Sequence, residues 1–367
     1  MKNLPLPVKL ASWLIVCVLG TIILIYAKEF LLPIVIASLL SMLLYPVYKK
    51  LLHWKFPNAI AVIVSVLLII TVLVVVVFLV SKELTGIINN LGKLSGQIND
   101  RFSKLQNYII EYTQSSSINE SIANVKTKLI DSIGEMVSGT IVGTTSVMSM
   151  LLLIIVYIFC FLVYNKSFKN FAFALLKDER QTQANHLIHN VQKLVQNYLL
   201  GLLTVILIIG GLNTVGLLII GVDHAVFFAF FVAMLTVIPY IGITIGALIT
   251  AFYTLLTKDS ALPAVAVMSV LFVVQFMESN FITPRIVGSR VSVNPFIAIV
   301  VLLIGGQIWG IPGMILSVPL TAILKVVLDT YPTTQALGYF IGSELTDDKN
   351  DASKHIGHLH DSEVKDK

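Results

Sequence analysis

One carboxylate is set apart by its neighbours. Glu278 closes an apolar run that begins near residue 261 and lies in Gln275-Phe-Met-Glu-Ser-Asn280, with Arg285 and Arg290 shortly after. An acid at the end of an apolar helix is costly in lipid, so it marks a functional candidate. Protonated, Glu278 is neutral; ionised, it binds a cation or pairs with Arg285 or Arg290. Two readings follow: a coupling group for protons or ions, or a structural ion pair at the membrane boundary. Gln275, Glu278 and Ile282 share one helical face, which makes that face polar. Asn280 adds a further polar group beside it.

Two apolar stretches flank this acid, and each is broken. Residues 225–257 are interrupted at Pro239-Tyr-Ile-Gly242, with Thr244 and Gly246 just beyond; residues 295–328 are interrupted at Gly310-Ile-Pro-Gly313, with Gln307 just before. As one straight helix the first would be about 50 Å long, against a hydrocarbon core of ~30 Å. Split at the break, each arm of about 15 residues is too short to span. Proline removes a helical hydrogen bond and glycine loosens the backbone. Each stretch is therefore a kinked span or a re-entrant hairpin. Irregular backbone at membrane depth is tolerated only where it is buried in protein or lines a cavity. Tyr240, Gly242, Thr244 and Gln307 are candidates for substrate contact, with packing of hairpin tips as the alternative. Pro239, Gly246, Gly310, Pro312 and Gly313 are the hinge candidates. Asn213, among Gly201, Gly210, Gly211 and Gly216, either bonds across helices or belongs to a substrate path.

The elements that hold these residues are membrane helices. Of 367 residues, 56% are hydrophobic and 12% charged, against about 25% charged in a soluble domain. The net charge of +5 reads as Lys and Arg on cytoplasmic loops, not as a nucleic-acid site, since no basic run is interleaved with aromatics. Cys17 and Cys160 lie inside apolar runs and read as core residues, not a disulfide framework. Residues 10–27 and 30–48 predict two antiparallel helices joined by a very short turn, and 59–80 a third span. Lys2, Lys9, Lys49, Lys50 and Lys55 put the N-terminus in the cytoplasm. Residues 143–164 return as a fourth span. Hairpins in place of spans at 225–257 and 295–328 carry Arg285 and Arg290 to the cytoplasm, which obeys the positive-inside rule better.

The expected fold is an all-α integral membrane protein with about eight membrane segments, two of them broken and read as inverted hairpins. The expected divisions are scaffold helices 1–80; an amphipathic extracytoplasmic insertion 81–142; a fourth span and cytoplasmic amphipathic helix 143–198; a transport region 199–335; and a disordered cytoplasmic tail 343–367. His186 and His189 are three apart on the amphipathic helix, and an exposed polar face is preferred there to a metal pair. No metal and no cofactor are expected. No nucleotide-binding Gly-Lys-Ser/Thr loop, His-Glu-x-x-His or Gly-x-Ser-x-Gly motif occurs, which disfavours an enzyme and an ATP-driven pump.

The order of these features resembles the autoinducer-2 exporter family. The motifs that carry the resemblance are Ile238-Pro-Tyr-Ile-Gly242 with Gly246, Glu278-Ser-Asn-Phe-Ile-Thr-Pro-Arg-Ile-Val-Gly288, Asn294-Pro295, Gly305-Gly306, Trp309-Gly-Ile-Pro-Gly313 and Val318-Pro-Leu320. The resemblance spans the chain and is most specific across 236–331. It implies a bacterial inner-membrane transporter with a large extracytoplasmic insertion and a homo-oligomeric state. Export of the signalling furanone and cation–proton antiport are both assigned within that family. The expected partners are thus a small molecule or cation, the lipid bilayer and further copies of the chain, with no nucleic acid. A non-transporting scaffold is the reading from another class, and the paired broken segments speak against it.

Overall fold

The computed structural model describes residues 5–89, 96, 103, 148–174, 181–238, 241–286, 293–331 and 334–342. These are helical almost throughout, as apolar segments must be when lipid offers the backbone no partners. Most of the insertion 81–142 and the whole tail 343–367 lie outside the described residues.

Helix α1 (Leu6–Tyr26) starts after Pro5 and gives way at Ala27 to α2 (Lys28–His53). The expected antiparallel packing of these two is not what forms. Helix α1 is exposed nearly throughout, with Trp13 and Leu19 among its uncovered side chains. One intervening residue is too short a connection to reverse a helix. The first reversal is instead between α2 and α3 (Asn58–Asn89), where Lys55 adopts a left-handed φ of 64° and Tyr48 donates to Asn58 Oδ1 at 2.6 Å. Helix α4 (Met148–Val163) completes a core with them around Ala37, Leu44, Val62, Ile158 and Leu162. It bends by 67° into α5, Asn165–Ala174.

The C-terminal half is built on α6 (Gln181–Ile220), one continuous helix of 40 residues that unites the amphipathic stretch with the fifth apolar span. On it pack α7 (Ala225–Leu235) and α9 (Leu262–Met277), and α8 (Ile241–Thr257) packs on both of those. A π turn (Glu278–Ile282) and α10 (Thr283–Ile286) prolong α9. Leu217, Ala229, Val232, Tyr253, Val267 and Leu271 form the core of this four-helix unit. The chain ends with α11 (Pro295–Thr330) and α12 (Gln335–Ile341). Leu39, Val195 and Leu316 join α2, α6 and α11, linking the two halves.

Both broken segments fold back on themselves. Gly242 of α8 abuts the Leu235 carbonyl, and a Cβ on Gly246 would lie 3.2 Å from Val232 Cα. Tyr253 stacks on Phe228 with centroids 4.6 Å apart. Partner numbers fall along α7 as they rise along α8, so the two arms are antiparallel. In α11 the reversal is at Gly310, whose φ of 65° and ψ of −144° belong to glycine alone. A Cβ on Gly305 would lie 2.5 Å from the Gly313 carbonyl oxygen and 2.7 Å from Ser317 Oγ. In a straight helix residues eight apart are about 12 Å apart, so this contact requires a hairpin.

Each hairpin is closed at its base. Lys258 Nζ meets Asp223 Oδ2 at 3.6 Å below hairpin 1 (α7–α8). Below hairpin 2, the two arms of α11, Asn294 N–H donates to the Ile341 carbonyl at 2.9 Å. The helical run Leu262–Ile286 lies between the two hairpins in the chain and is roughly 37 Å long at 1.5 Å per residue, enough for a hydrocarbon core of ~30 Å.

Among the described residues five helices are long and apolar enough to cross a membrane, or six if α4 and α5 count as one bent span; α11, which folds back at Gly310, is one of the five by length and composition alone. The remaining apolar segments, Ala11–Tyr26, Ala225–Leu235 and Gly242–Thr257, are shorter, because two of them are hairpin arms.

Candidate functional site

Glu278 lies where α9 widens. The Thr283 N–H donates to the Glu278 carbonyl, five residues back, which is the bond of a π turn. The extra residue shifts the register. Ile282, expected beside Glu278, turns instead into the contact of Val205, Ala233 and Val274, and Thr283 takes its place. The Glu278 carboxylate accepts hydrogen bonds from Gln275 Nε2 at 2.5 Å, from Ser279 Oγ at 3.2 Å and from Thr283 Oγ1. Gln275 Nε2 also reaches Ser279 Oγ at 3.0 Å.

Neutral donors alone therefore hold this half-buried carboxylate among the described residues. Arg285 is exposed and makes no ion pair with it, so the structural pair read from the sequence is not formed there. Arg290 lies outside the described residues, as do Pro239 and Tyr240. Asn280 is exposed and donates to the Phe276 carbonyl at 2.8 Å, outside the Glu278 set.

The tip of hairpin 1 is at the same level. Ala233, one turn before the reversal, packs with Val274, one turn before Glu278. Gly242 and Gly246 are buried at the seam of the hairpin, while Thr244 is exposed. Asn213 on α6 lies between two close approaches: Phe230 of α7 over Gly210, and Val270 of α9 over Gly216. It is 1% exposed. Its Oδ1 meets no donor among the described residues, so the interhelical bond expected of it is not made through that atom.

The other expected residues gather at the tip of hairpin 2. Gly310 and Gln307 are exposed, Pro312 is half-buried and Gly313 is buried against Gly305. Trp309 next to them donates its indole N–H to the Leu24 carbonyl at 2.9 Å. Leu24 is in the last turn of α1, where helix carbonyls lack partners within the helix. The two hairpins pack on different neighbours, and α6 is common to both.

Sequence reasoning missed the polar groups at the base of hairpin 1. His224 Nδ1 lies 2.6 Å from Glu83 Oε2 at the end of α3, beside the Lys258–Asp223 pair. The signal was present as Gly221-Val-Asp-His224, a polar break between two apolar runs. Ser279 and Thr283 were missed because a π turn has no composition of its own.

Residues 14–333 match the sequence profile described as AI-2E family transporter. A relative in Bacillus subtilis, named "Putative transport protein YueF", is 25% identical over 317 residues, covering 82% of this chain and 84% of its own. The "AI-2 transport protein TqsA" of Escherichia coli is 24% identical over 345 residues, covering 89% of this chain and 95% of its own. The apolar helices and this match describe a multi-pass membrane protein with a role in transport.

Proposed function

The chain belongs to the AI-2E transporter family, and from that we propose that it is a secondary transporter exporting a small polar solute of the autoinducer-2 kind in exchange for protons. The observation that carries this reading is the Glu278 cluster beside the tip of hairpin 1. As a carboxylate, Glu278 accepts from Gln275, Ser279 and Thr283. Once protonated it becomes a donor and has less room to accept. A solute hydroxyl that donates to the ionised carboxylate in place of one of those partners loses its acceptor when the proton binds. The proton and the solute thus compete for one set of hydrogen bonds, which is what exchange requires. A single carboxylate among neutral donors suits a neutral, hydroxylated cargo. The relative named for AI-2 transport supports that cargo class.

In this reading the hairpins are re-entrant, entering from opposite faces as in inverted-repeat transporters. With α9 spanning the bilayer, the base of hairpin 1 is extracytoplasmic, and the base of hairpin 2 and the tail are cytoplasmic. From α2 onward, and counted with the hairpins, the chain has seven membrane segments in a bacterial inner membrane; α1, which does not turn back along α2, is left out of that count. Residues 1–80 and the insertion 81–142 form the frame and carry the contacts of a homo-oligomer.

The test is transport in proteoliposomes under an imposed pH gradient. Autoinducer-2 should accumulate in vesicles that are acid inside, and collapsing the gradient should abolish this. Proton-driven movement of sodium with none of the furanone would overturn the cargo; no gradient-dependent movement of either would overturn the mechanism.

A further inference from the structure

Three side-chain hydrogen bonds tie the N-terminal helices to the C-terminal half among the described residues. Gln196 Nε2 donates to the Met42 carbonyl at 2.8 Å, and Trp309 Nε1 to that of Leu24. The third is Glu83 Oε2 with His224 Nδ1 at 2.6 Å. Only the third joins two side chains that both titrate. It is also the one that meets hairpin 1 at its base, just before the first residue of α7.

The surroundings of His224 are built for the ring. Its backbone is left-handed, with φ 57° and ψ 32°, a conformation that costs a non-glycine residue energy and persists only where contacts hold it. On the α3 side Gly86 has no side chain, and a Cβ there would lie 3.1 Å from His224 Cε1. On the α8 side Tyr253 stands edge-on, with centroids 6.3 Å apart. The imidazole thus fills a slot between α3 and hairpin 1. His224 and Glu83 keep 23% and 35% of their side-chain surface, so protons reach them from solvent.

We infer that His224 is a positioning residue: with Glu83 it forms a proton-sensitive latch that fixes the base of hairpin 1 to α3. An imidazole changes charge between about pH 5 and 8. With the ring protonated and the carboxylate still ionised, the pair is ionic and charge-assisted. Above that window a single neutral N–H bond remains. Acid therefore tightens the latch and alkali loosens it. The other charged or titratable groups near the ring among the described residues are Asp223 beside it in the chain, Tyr253 edge-on to it and Lys258, which pairs with Asp223; Lys82 and Asp259 neighbour Glu83 and Lys258 in sequence. Glu83 is the acid in direct contact with the ring.

The latch is independent of any cargo, so its test does not use transport. The full chain, in lipid nanodiscs, is spin-labelled at Thr85→Cys and Ser260→Cys on a background lacking Cys17 and Cys160. Distance distributions are recorded at pH 5.5 and at pH 8. One narrow distance is expected in acid, and a second, longer one at pH 8. His224→Asn tolerates the left-handed backbone and keeps a neutral donor near the Nδ1 position; it should give the same distribution at both pH values. Glu83→Gln, which leaves the ring intact, should do so too. A native distribution that ignores pH, or variants that follow pH as the native chain does, would overturn the latch.

Discussion

Lys258 Nζ lies 3.6 Å from Asp223 Oδ2, so the chain enters and leaves the apolar stretch 225–257 at one place. A span would separate those residues by the thickness of a bilayer. The pair converts an ambiguous hydropathy pattern into a hairpin, and the predictions below follow from that reversal.

Sidedness is the most direct consequence. Ser260→Cys and Gln335→Cys, each alone on a background without Cys17 and Cys160, should be labelled from opposite faces by a membrane-impermeant thiol reagent. Position 260 should react from outside. Labelling of both from one face would mean that α9 does not cross.

Glu278→Gln should leave the protein assembled and remove the dependence of transport on the pH gradient, by tenfold or more in gradient-driven rate. Thr283→Val deletes one of three bonds to the carboxylate. A hydrogen bond to a charged group is worth about 1.5–3 kcal/mol, so transport should weaken while some coupling survives. Proteoliposome uptake at several external pH values separates the two, and an unchanged profile in Glu278→Gln would remove the residue from the mechanism.

Gly242→Ala should be far worse than its size suggests. Its methyl group meets the Leu235 carbonyl, which is backbone and cannot swing aside. Overpacking of this kind costs about 1–3 kcal/mol. Gly211→Ala, where nothing lies within 4 Å, should be neutral. Thermal unfolding in detergent compares them, and equal melting temperatures would count against the close-packed hairpin seam.

Asn213→Leu is expected to stabilise the protein and impair transport together. A buried unsatisfied polar group costs about 1–3 kcal/mol, and leucine of similar size removes that cost. A raised melting temperature with reduced uptake would mark Asn213 as kept for function. A lowered melting temperature would show that its carboxamide is structurally paired.

Much of the fold was legible because lipid imposes simple rules. The positions of α2, α3 and α9 follow from their apolar runs, though α3 runs on to Asn89 beyond its run, and the breaks at Gly242 and Gly310 announced themselves as Pro/Gly clusters too close together for a span. The reversal itself depended on which residues meet, such as Gly305 with Gly313, and no local pattern encodes that. The α1–α2 junction misled for a geometric reason. Lys28-Glu29 looks like a turn between spans, yet the break is the single residue Ala27. At Glu278 the type of residue was readable and its partners were not. Helical periodicity assigns Ile282 to its face, and one inserted residue gives that position to Thr283.

The short first arm of hairpin 1 also bears on how the protein is made. Helix α7 has 11 residues, about 16 Å of rise, too little to be retained as a transmembrane segment when it leaves the ribosome. It packs on α6 and on its partner arm α8, and α8 in turn packs on α9, which is synthesised later. The ribosome must therefore pass Ile286 before hairpin 1 can settle, so this part of the chain is integrated as a block and not one helix at a time. Truncations that stop between Thr257 and Leu262 should leave the hairpin outside the bilayer and exposed to proteases and quality control.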